Sequence, residues 1–101
     1  MRALYQGQAT IARRDGSYVP VEVTVWSDDA GSHTTWGGRA VVRPPHTLRH
    51  DQGDVCLLRW PVHDRGYMVG QCVPSSGQLE SAAETYRLVG VGEPTHLTSE
   101  R

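Results

Sequence analysis

Hydrophobic and polar residues alternate along most of this chain, which is the pattern of half-buried β-strands. The clearest stretch runs from Tyr18 to Trp26, where valine occupies every second position from Val19 to Val25. β-branched residues on one side of a pleated strand indicate that this side packs against a core. Pro20 lies on the opposite parity and has no amide proton, so we expect an edge, a bulge or the beginning of the ladder there.

Another strand precedes this one. The length of the turn between the two strands can be predicted by comparing the residue pairs that each turn length would produce. A two-residue turn would place Ile11 opposite Pro20 and so set apolar positions against polar ones. A three-residue loop at 14–16 places Ile11 opposite Val19, and every inward position then meets an inward position. We therefore predict a type I turn with a G1 bulge, in which Gly16 is left-handed. The predicted partners are Ile11–Val19, Ala9–Val21, Gly7–Val23 and Tyr5–Val25.

Four further strands are predicted downstream, each bounded by glycine, proline or serine. The two prolines at 44–45 end the third strand, because neither can donate to a ladder. Residues 74–77 are predicted as a turn, and residues 79–84 fit either one helical turn or an irregular strand. The predicted bounds are His33–Arg43, Asp54–Trp60, Tyr67–Val73 and Thr85–Gly92.

The fourth and fifth predicted strands carry the two cysteines of the chain. A register that places Trp60 opposite Met68 also places Cys56 opposite Cys72, so the two thiols become cross-strand neighbours. Two cysteines without a CxxC motif are too few for a disulfide scaffold. We predict buried, unreactive thiols, and a disulfide between them only if the Cα separation suits one.

These elements predict an all-β fold, a small antiparallel β-barrel or sandwich of about six to seven strands. Closure into a barrel would remove the open edges that invite aggregation. A chain of 101 residues fits one small domain with a modest core. We expect a single β domain over residues 1–94 and a flexible C-terminal tail over residues 95–101.

Composition and charge narrow the function classes. The formal net charge is −1, with ten basic and eleven acidic residues. The basic residues do not form the stripe that is typical of nucleic-acid-binding proteins. No apolar run approaches the roughly 18 residues of a membrane helix, and residues 1–8 lack the apolar region of a signal peptide. We therefore expect a cytoplasmic protein without a membrane or nucleic-acid partner. Lys, Asn and Phe are absent and every basic residue is Arg, which indicates a GC-rich genome such as that of an actinobacterium or its phage.

Residues 43–54 (RPPHTLRHDQGD) form the one long polar connection and hold His46 and His50. Their HxxxH spacing puts two imidazoles on one face only within a helix. Here prolines precede the motif, and no glutamate follows His46 to act as a base. A solvated loop is therefore the preferred interpretation, and we predict no metal and no cofactor. The candidates for a third ligand would be Asp51, Asp54 and His63.

No catalytic constellation stands out in the sequence. No serine lies in a G-x-S-x-G elbow, and Asp28 and Asp29 are predicted to lie in a turn, where aspartate caps its own backbone. The glycines at 90–92 do not lead from a strand into a helix, so they do not form a phosphate-binding loop. We predict no catalytic residues.

Trp26 departs from the core pattern and is the strongest candidate for a contact residue. It lies on the polar parity of the second strand, opposite the valines, and is therefore expected to face outward. Trp36 and Arg39, beside the glycine pair at 37–38, are expected nearby, and exposed Trp and Arg are common anchors at interfaces. The loop at 43–54 is a second candidate for recognition. Its candidate contact residues are His46, Arg49 and His50.

Four short segments together resemble small β-rich proteins of actinobacteria and their phages. In those proteins an x-G-x-A strand precedes a D-G turn, a W-G/S-G strand follows, and a G-x-G-x-P strand closes the domain. The resemblance covers about positions 5 to 94, and it departs after the terminal proline, where Thr95 stands in place of a proline or phenylalanine. It implies an antiparallel barrel-like fold and transfers no catalytic residues. The matching segments are Tyr5–Thr10, Val19–Val23, Trp36–Arg39 and Tyr86–Pro94.

These observations favour a non-enzymatic protein-binding or assembly module, with a protein partner or self-association into an oligomer. One alternative is a small-molecule-binding barrel, in which the paired glycines would open space beside Trp36 and Trp60. Another alternative is a metal-dependent enzyme that uses His46 and His50.

Overall fold

The computed structural model describes residues 2–30, 33–62 and 66–97. In these ranges the chain forms six antiparallel strands and one short 3-10 turn at Arg49–Asp51. Hydrogen-bonded neighbours close into a barrel in the order β1-β2-β3-β6-β5-β4, so the all-β prediction is confirmed. The strands are β1 Arg2–Ala12, β2 Tyr18–Ala30, β3 His33–Val42, β4 Cys56–Pro61, β5 Tyr67–Glu80 and β6 Ala83–Leu97.

The first hairpin has the predicted register and the predicted turn. Ile11 pairs with Val19, and the other three predicted pairs follow in step. The amide of Arg13 donates to the carbonyl of Ser17 at 2.8 Å, and Gly16 has a φ of +92°. A left-handed glycine at this point supplies the twist that joins the two strands. Parity therefore distinguished the three-residue loop from a two-residue turn, because a register shifted by one residue would have turned the valines away from the core.

The β5–β6 hairpin is longer than predicted, and the predicted turn at 74–77 is wrong. β5 runs through that segment to Glu80, with a shift of register between Ser75 and Gln78. The chain reverses at Ser81 and Ala82, both with positive φ. The proline-serine-glycine signal therefore marks a bulge, because pairing with β6 on one side outweighs the local turn preference.

The expected flexible tail at residues 95–101 is also wrong for its first part. β6 continues past Pro94, and Thr95, His96 and Leu97 pair with Val69, Met68 and Tyr67 of β5. Pro94 lies where the register between β5 and β6 shifts, between the pairs Val69–Thr95 and Gln71–Val91. A proline is tolerated at such an irregularity because no ladder hydrogen bond is required of it there. Residues 98–101 lie outside the described residues.

The interior of the barrel is filled by side chains from all six strands. Trp36 and Trp60 pack together at its centre, with ring centroids 5.7 Å apart. Gly70 and Gly90 make room for Trp36, because a Cβ on either glycine would lie 2.4 or 2.5 Å from an atom of the indole. The buried hydrophobic residues of strands β1 to β3 are Ala9, Ile11, Val19, Val21, Val23, Val25, Trp36, Ala40 and Val42. Those after β3 are Leu48, Cys56, Leu58, Trp60, Cys72, Tyr86 and Leu88.

Candidate functional site

A shallow groove surrounds Trp26 on the outer surface of the barrel. Trp26 faces outward on β2 and is half-buried, while Arg39 on β3 and Arg87 on β6 are exposed. Ser76 and Gln78, at the bulge of β5, line the opposite side of the groove. The groove has a volume of about 380 Å³. We call it the Trp26 groove. The structure thus brings together Trp26 and Arg39, as the sequence suggested, and adds Arg87.

The two arginines of the Trp26 groove occupy directly opposed positions in the ladder between β3 and β6. Side chains at such positions lie about 4.5–5.5 Å apart at their Cβ atoms, so like charges there repel. Nη2 of Arg39 lies 3.9 Å from Oε1 of Glu80, and both side chains are more than half exposed. An exposed pair at this distance contributes little to stability. Sequence reasoning missed Arg87, although its alternation with Leu88 on β6 places it outward.

Trp36 is not part of this surface, contrary to the expectation that it lies beside Arg39 at a contact site. It is only 6% exposed and packs inside the barrel. The reason is parity, since Trp36 shares the inward face of β3 with Ala40 and Val42, whereas Arg39 points outward. Its indole Nε1 is buried and has no hydrogen-bond partner among the described residues.

The loop between β3 and β4 folds over one end of the barrel and acts as a cap. Leu48 is completely buried and belongs to the core. The Arg13 guanidinium donates to the carbonyl of Thr47, and its Nε lies 3.3 Å from Oδ2 of Asp51. The amide of Gly53 donates to the carbonyl of Pro74 at 3.0 Å. The inner side of this loop therefore packs against the barrel and stabilises the fold.

Glu84 is the residue that holds this cap. Its carboxylate accepts hydrogen bonds from the Thr47 hydroxyl at 2.7 and 2.8 Å, from the Tyr86 hydroxyl at 2.6 Å and from the Leu48 amide at 3.3 Å. Burial alone would raise the pKa of Glu84, but the hydrogen bonds and the nearby Arg49 outweigh it and hold the pKa below its ordinary value of 4.5. Glu84 is therefore ionised at neutral pH and serves a structural purpose.

The outer side of the cap presents His46, Arg49 and His50, and all three are exposed. None of them lines the Trp26 groove. Arg49 lies 3.9 Å from Oε2 of Glu84. The cap and the Trp26 groove are thus two separate candidate surfaces.

The metal hypothesis gains no geometric support from the described residues. Among them no group of three or more His, Cys, Asp or Glu side chains is arranged to hold an ion. The 3-10 turn at Arg49–Asp51 starts after His46, so the two histidines do not share a helix face. His63, one candidate for a third ligand, lies outside the described residues.

A second outward surface is apolar, and sequence reasoning missed it. It is a groove of about 420 Å³ across β1, β2, β4, β5 and β6. Tyr18 is 64% exposed, Leu57 41% and Leu97 51%. Residues 55–58 are almost continuously apolar, so both sides of β4 resemble core in the sequence, yet Leu57 shares the outward parity of Arg59. We call this surface the apolar face, and its apolar side chains are Ala12, Tyr18, Leu57, Tyr67, Val69 and Leu97.

The apolar face contains one charge among its lining residues, and an aromatic ring holds it. The guanidinium carbon of Arg59 lies 3.8 Å from the centre of the Tyr67 ring. This cation–π contact places the planar cation against the sheet surface. The lining residues include no carboxylate. The surface therefore combines apolar side chains with a cation that is already stacked on a ring.

The two cysteines are cross-strand neighbours with free thiols, in the predicted register. Burial raises the pKa of Cys72 to about 12 and the pKa of Cys56 to about 11, with Asp51 and Asp54 adding to the shift at Cys56. Both thiols are therefore protonated at neutral pH, which is the unreactive form of cysteine.

Comparison with known proteins assigns no family to this chain. No family model, no curated protein and no solved structure matches it. Within the described ranges, no helix is sufficiently long and apolar to span a membrane.

Proposed function

We propose that this protein is a non-enzymatic assembly module that pairs with a second copy of itself through the apolar face. The observation that carries the proposal is the contiguous groove formed by exposed Tyr18, Leu57 and Leu97. Apolar side chains that are exposed together, with polar residues around them, are candidates for an interaction site.

The composition of the apolar face favours an identical partner. Interfaces of homodimers are more apolar than other interfaces, and charged residues are depleted at their centres. The one cation of this face, Arg59, is exposed and stacks on the Tyr67 ring, with its guanidinium carbon 3.8 Å from the ring centre. An identical face offers the same apolar side chains and a single charge, Arg59, whereas a partner with a more highly charged face would have to desolvate more charges.

The shape of the apolar face also suits two-fold pairing. Tyr18 on β2 and Leu97 on β6 stand at opposite sides of the groove and are both more than half exposed. A two-fold axis makes an interface from the same patch on both copies, so a protruding side chain of one copy meets the groove of the other. Tyr18 is suited to this position because tyrosine combines a large apolar ring with a hydroxyl that tolerates water.

Two alternatives receive less support. A small molecule inside the barrel lacks room, because Trp36 and Trp60 occupy the interior and the space beside Gly70 and Gly90 is filled by Trp36. A metal-dependent or cysteine-dependent enzyme lacks a suitable set of ligands among the described residues and has protonated thiols. The apolar face therefore remains the best-supported site.

The test is the mass of the protein in solution, measured by light scattering over a range of concentrations. Leu57→Asp places a charge at the centre of the apolar face and is expected to abolish pairing. Gln8→Asp adds the same charge to an exposed outward position on β1 and should leave the mass unchanged. Loss of pairing in both variants, or in neither, would contradict the assignment of this face. Denaturation midpoints of the two variants show that each still folds.

A further inference from the structure

The Trp26 groove keeps two like charges in a position where the sheet would favour opposite ones. Arg39 and Arg87 are directly opposed across β3 and β6, and both are exposed. A glutamate in place of either arginine would turn a repulsive pair into an attractive one. A local arrangement that lowers stability without a structural gain is typical of a functional site.

Trp26 lines the same groove as these two arginines. On β2, Thr24 pairs with Arg39, and Trp26 pairs with Gly37 two residues further along β3. Gly37 cannot carry a side chain, because its Cβ would lie 2.8 Å from the carbonyl oxygen of Leu88. The position opposite Trp26 therefore has no side chain to cover the indole, and the half-buried Trp26 lines the same groove as Arg39 and Arg87.

The bulge in β5 completes the groove with hydrogen-bonding side chains. The register of β5 against β6 shifts between Ser75 and Gln78, and Ser76 has a φ of +55°. Bulges commonly redirect side chains beside binding sites. Here the bulge brings Ser76 and Gln78 to the margin of the groove opposite Trp26.

We propose that the Trp26 groove binds an acidic protein segment, with one carboxylate between Arg39 and Arg87 and an adjacent apolar side chain on Trp26. The fork of a guanidinium matches the two oxygens of a carboxylate. Trp and Arg are also the residue types that most often dominate the energy of protein interfaces.

Glu80 shows that a carboxylate already reaches one of the two arginines. Its Oε1 lies 3.9 Å from Nη2 of Arg39, with both side chains more than half exposed. A long, exposed ion pair is weak, so an incoming carboxylate can replace it at little cost. Because Arg87 lies directly opposite Arg39, an incoming carboxylate can be bound by both guanidinium groups.

Charge distribution favours an acidic peptide over a nucleic acid. The chain carries a net charge of −1, and the groove contains two cations flanked by Ser76, Gln78 and Trp26. Nucleic-acid binding draws its affinity from several phosphate contacts along a basic track. Two arginines beside one indole suit a single carboxylate and a neighbouring apolar residue.

The binding test uses the ¹⁵N-labelled full chain and a short peptide of alternating glutamate and leucine. We expect the Trp26 indole N–H and the Arg39 and Arg87 Nε–H resonances to shift on addition of this peptide, while the indole signals of buried Trp36 and Trp60 stay in place. Added salt should weaken the shifts. Equal shifts with a lysine–leucine peptide, with inorganic phosphate or with a single-stranded oligonucleotide would overturn the proposal, as would no shift at all.

The variant test uses Arg87→Glu, which separates recognition from stability. It should abolish the peptide-induced shifts and at the same time raise the midpoint of thermal unfolding, because it replaces a repulsive pair with an attractive one. Arg14→Glu makes the same charge change at an exposed turn residue and should leave peptide binding intact. Retained binding in Arg87→Glu, or a lowered midpoint, would refute the proposal. The result is independent of the apolar face, which Arg87 does not line.

Discussion

Replacement of Glu84 by glutamine tests whether the cap over the barrel is held as the structure indicates. The wild-type carboxylate accepts from Thr47, Tyr86 and the amide of Leu48, and its side chain is 16% exposed. Glutamine keeps nearly the same shape but replaces one acceptor oxygen with an NH2 group. The NH2 group cannot accept a hydrogen bond from the donors that face it. At least one of the hydrogen bonds to the Glu84 side chain is therefore lost, and its donor is left unsatisfied.

The expected loss of stability follows from the kind of bond involved. A hydrogen bond to an ionised group contributes about 1.5–3 kcal/mol, and an unsatisfied buried donor costs about 1–3 kcal/mol. We therefore expect Glu84→Gln to lower the free energy of unfolding by about 2–4 kcal/mol at neutral pH. For a domain of 101 residues the total is roughly 5–15 kcal/mol, so the change is a large fraction of it.

Urea denaturation measures this change. With a slope of about 1–3 kcal/mol per molar urea, the midpoint should fall by roughly 0.7–4 M. Glu80→Gln is the matched control, because Glu80 is exposed and forms one ion pair of 3.9 Å. It should stay within about 0.5 kcal/mol of the wild type. A Glu84→Gln value no larger than the control would refute the account of the cap.

The pH dependence of the Glu84 effect has a defined sign. The pKa of Glu84 in the folded protein lies below its ordinary value of 4.5, so the unfolded chain binds a proton more readily than the folded one. Its contribution to stability is thus present above pH 4.5 and is lost as the pH falls through the folded pKa. The difference between wild type and Glu84→Gln should shrink below pH 4.5. A difference that grows in acid would contradict this reasoning.

Two further predictions concern the interior of the barrel. Gly90→Ala should destabilise the fold by about 1–3 kcal/mol in thermal or urea unfolding, because the added Cβ would clash with both the carbonyl oxygen and the indole of Trp36; an unchanged midpoint would contradict this close packing. Cys56 and Cys72 should resist alkylation at pH 8 in the folded protein and react fully in denaturant, because burial raises their pKa values to about 11 and 12; rapid labelling of the folded protein would contradict their burial.

Much of the fold could be predicted from the sequence because alternation along a strand and pairing between strands constrain each other. The register of Ile11 against Val19 and of Cys56 against Cys72 follows from matching inward faces. The same logic fails where local signals compete with tertiary pairing. The turn expected at residues 74–77 is a bulge, and β6 extends through Thr95 to Leu97, because each segment has a partner strand that local sequence does not reveal.

The candidate sites were harder to predict for a related reason. Trp26 was identified because it interrupts a clear alternation, whereas Arg87 gains its meaning only from the β3–β6 register that sets it opposite Arg39. The apolar face is formed by residues of five strands around Leu57, so it cannot be predicted from the local sequence of any one strand. Trp36 was misplaced because the glycines beside it obscured the parity that puts it inside.

The central claim is that the apolar face joins two copies of the chain, and sedimentation equilibrium tests it most directly. The account predicts a mass of twice 11.1 kDa for the wild-type protein and 11.1 kDa for Leu57→Asp, with Gln8→Asp remaining paired. A wild-type protein that sediments at 11.1 kDa up to the highest concentrations measured would contradict it.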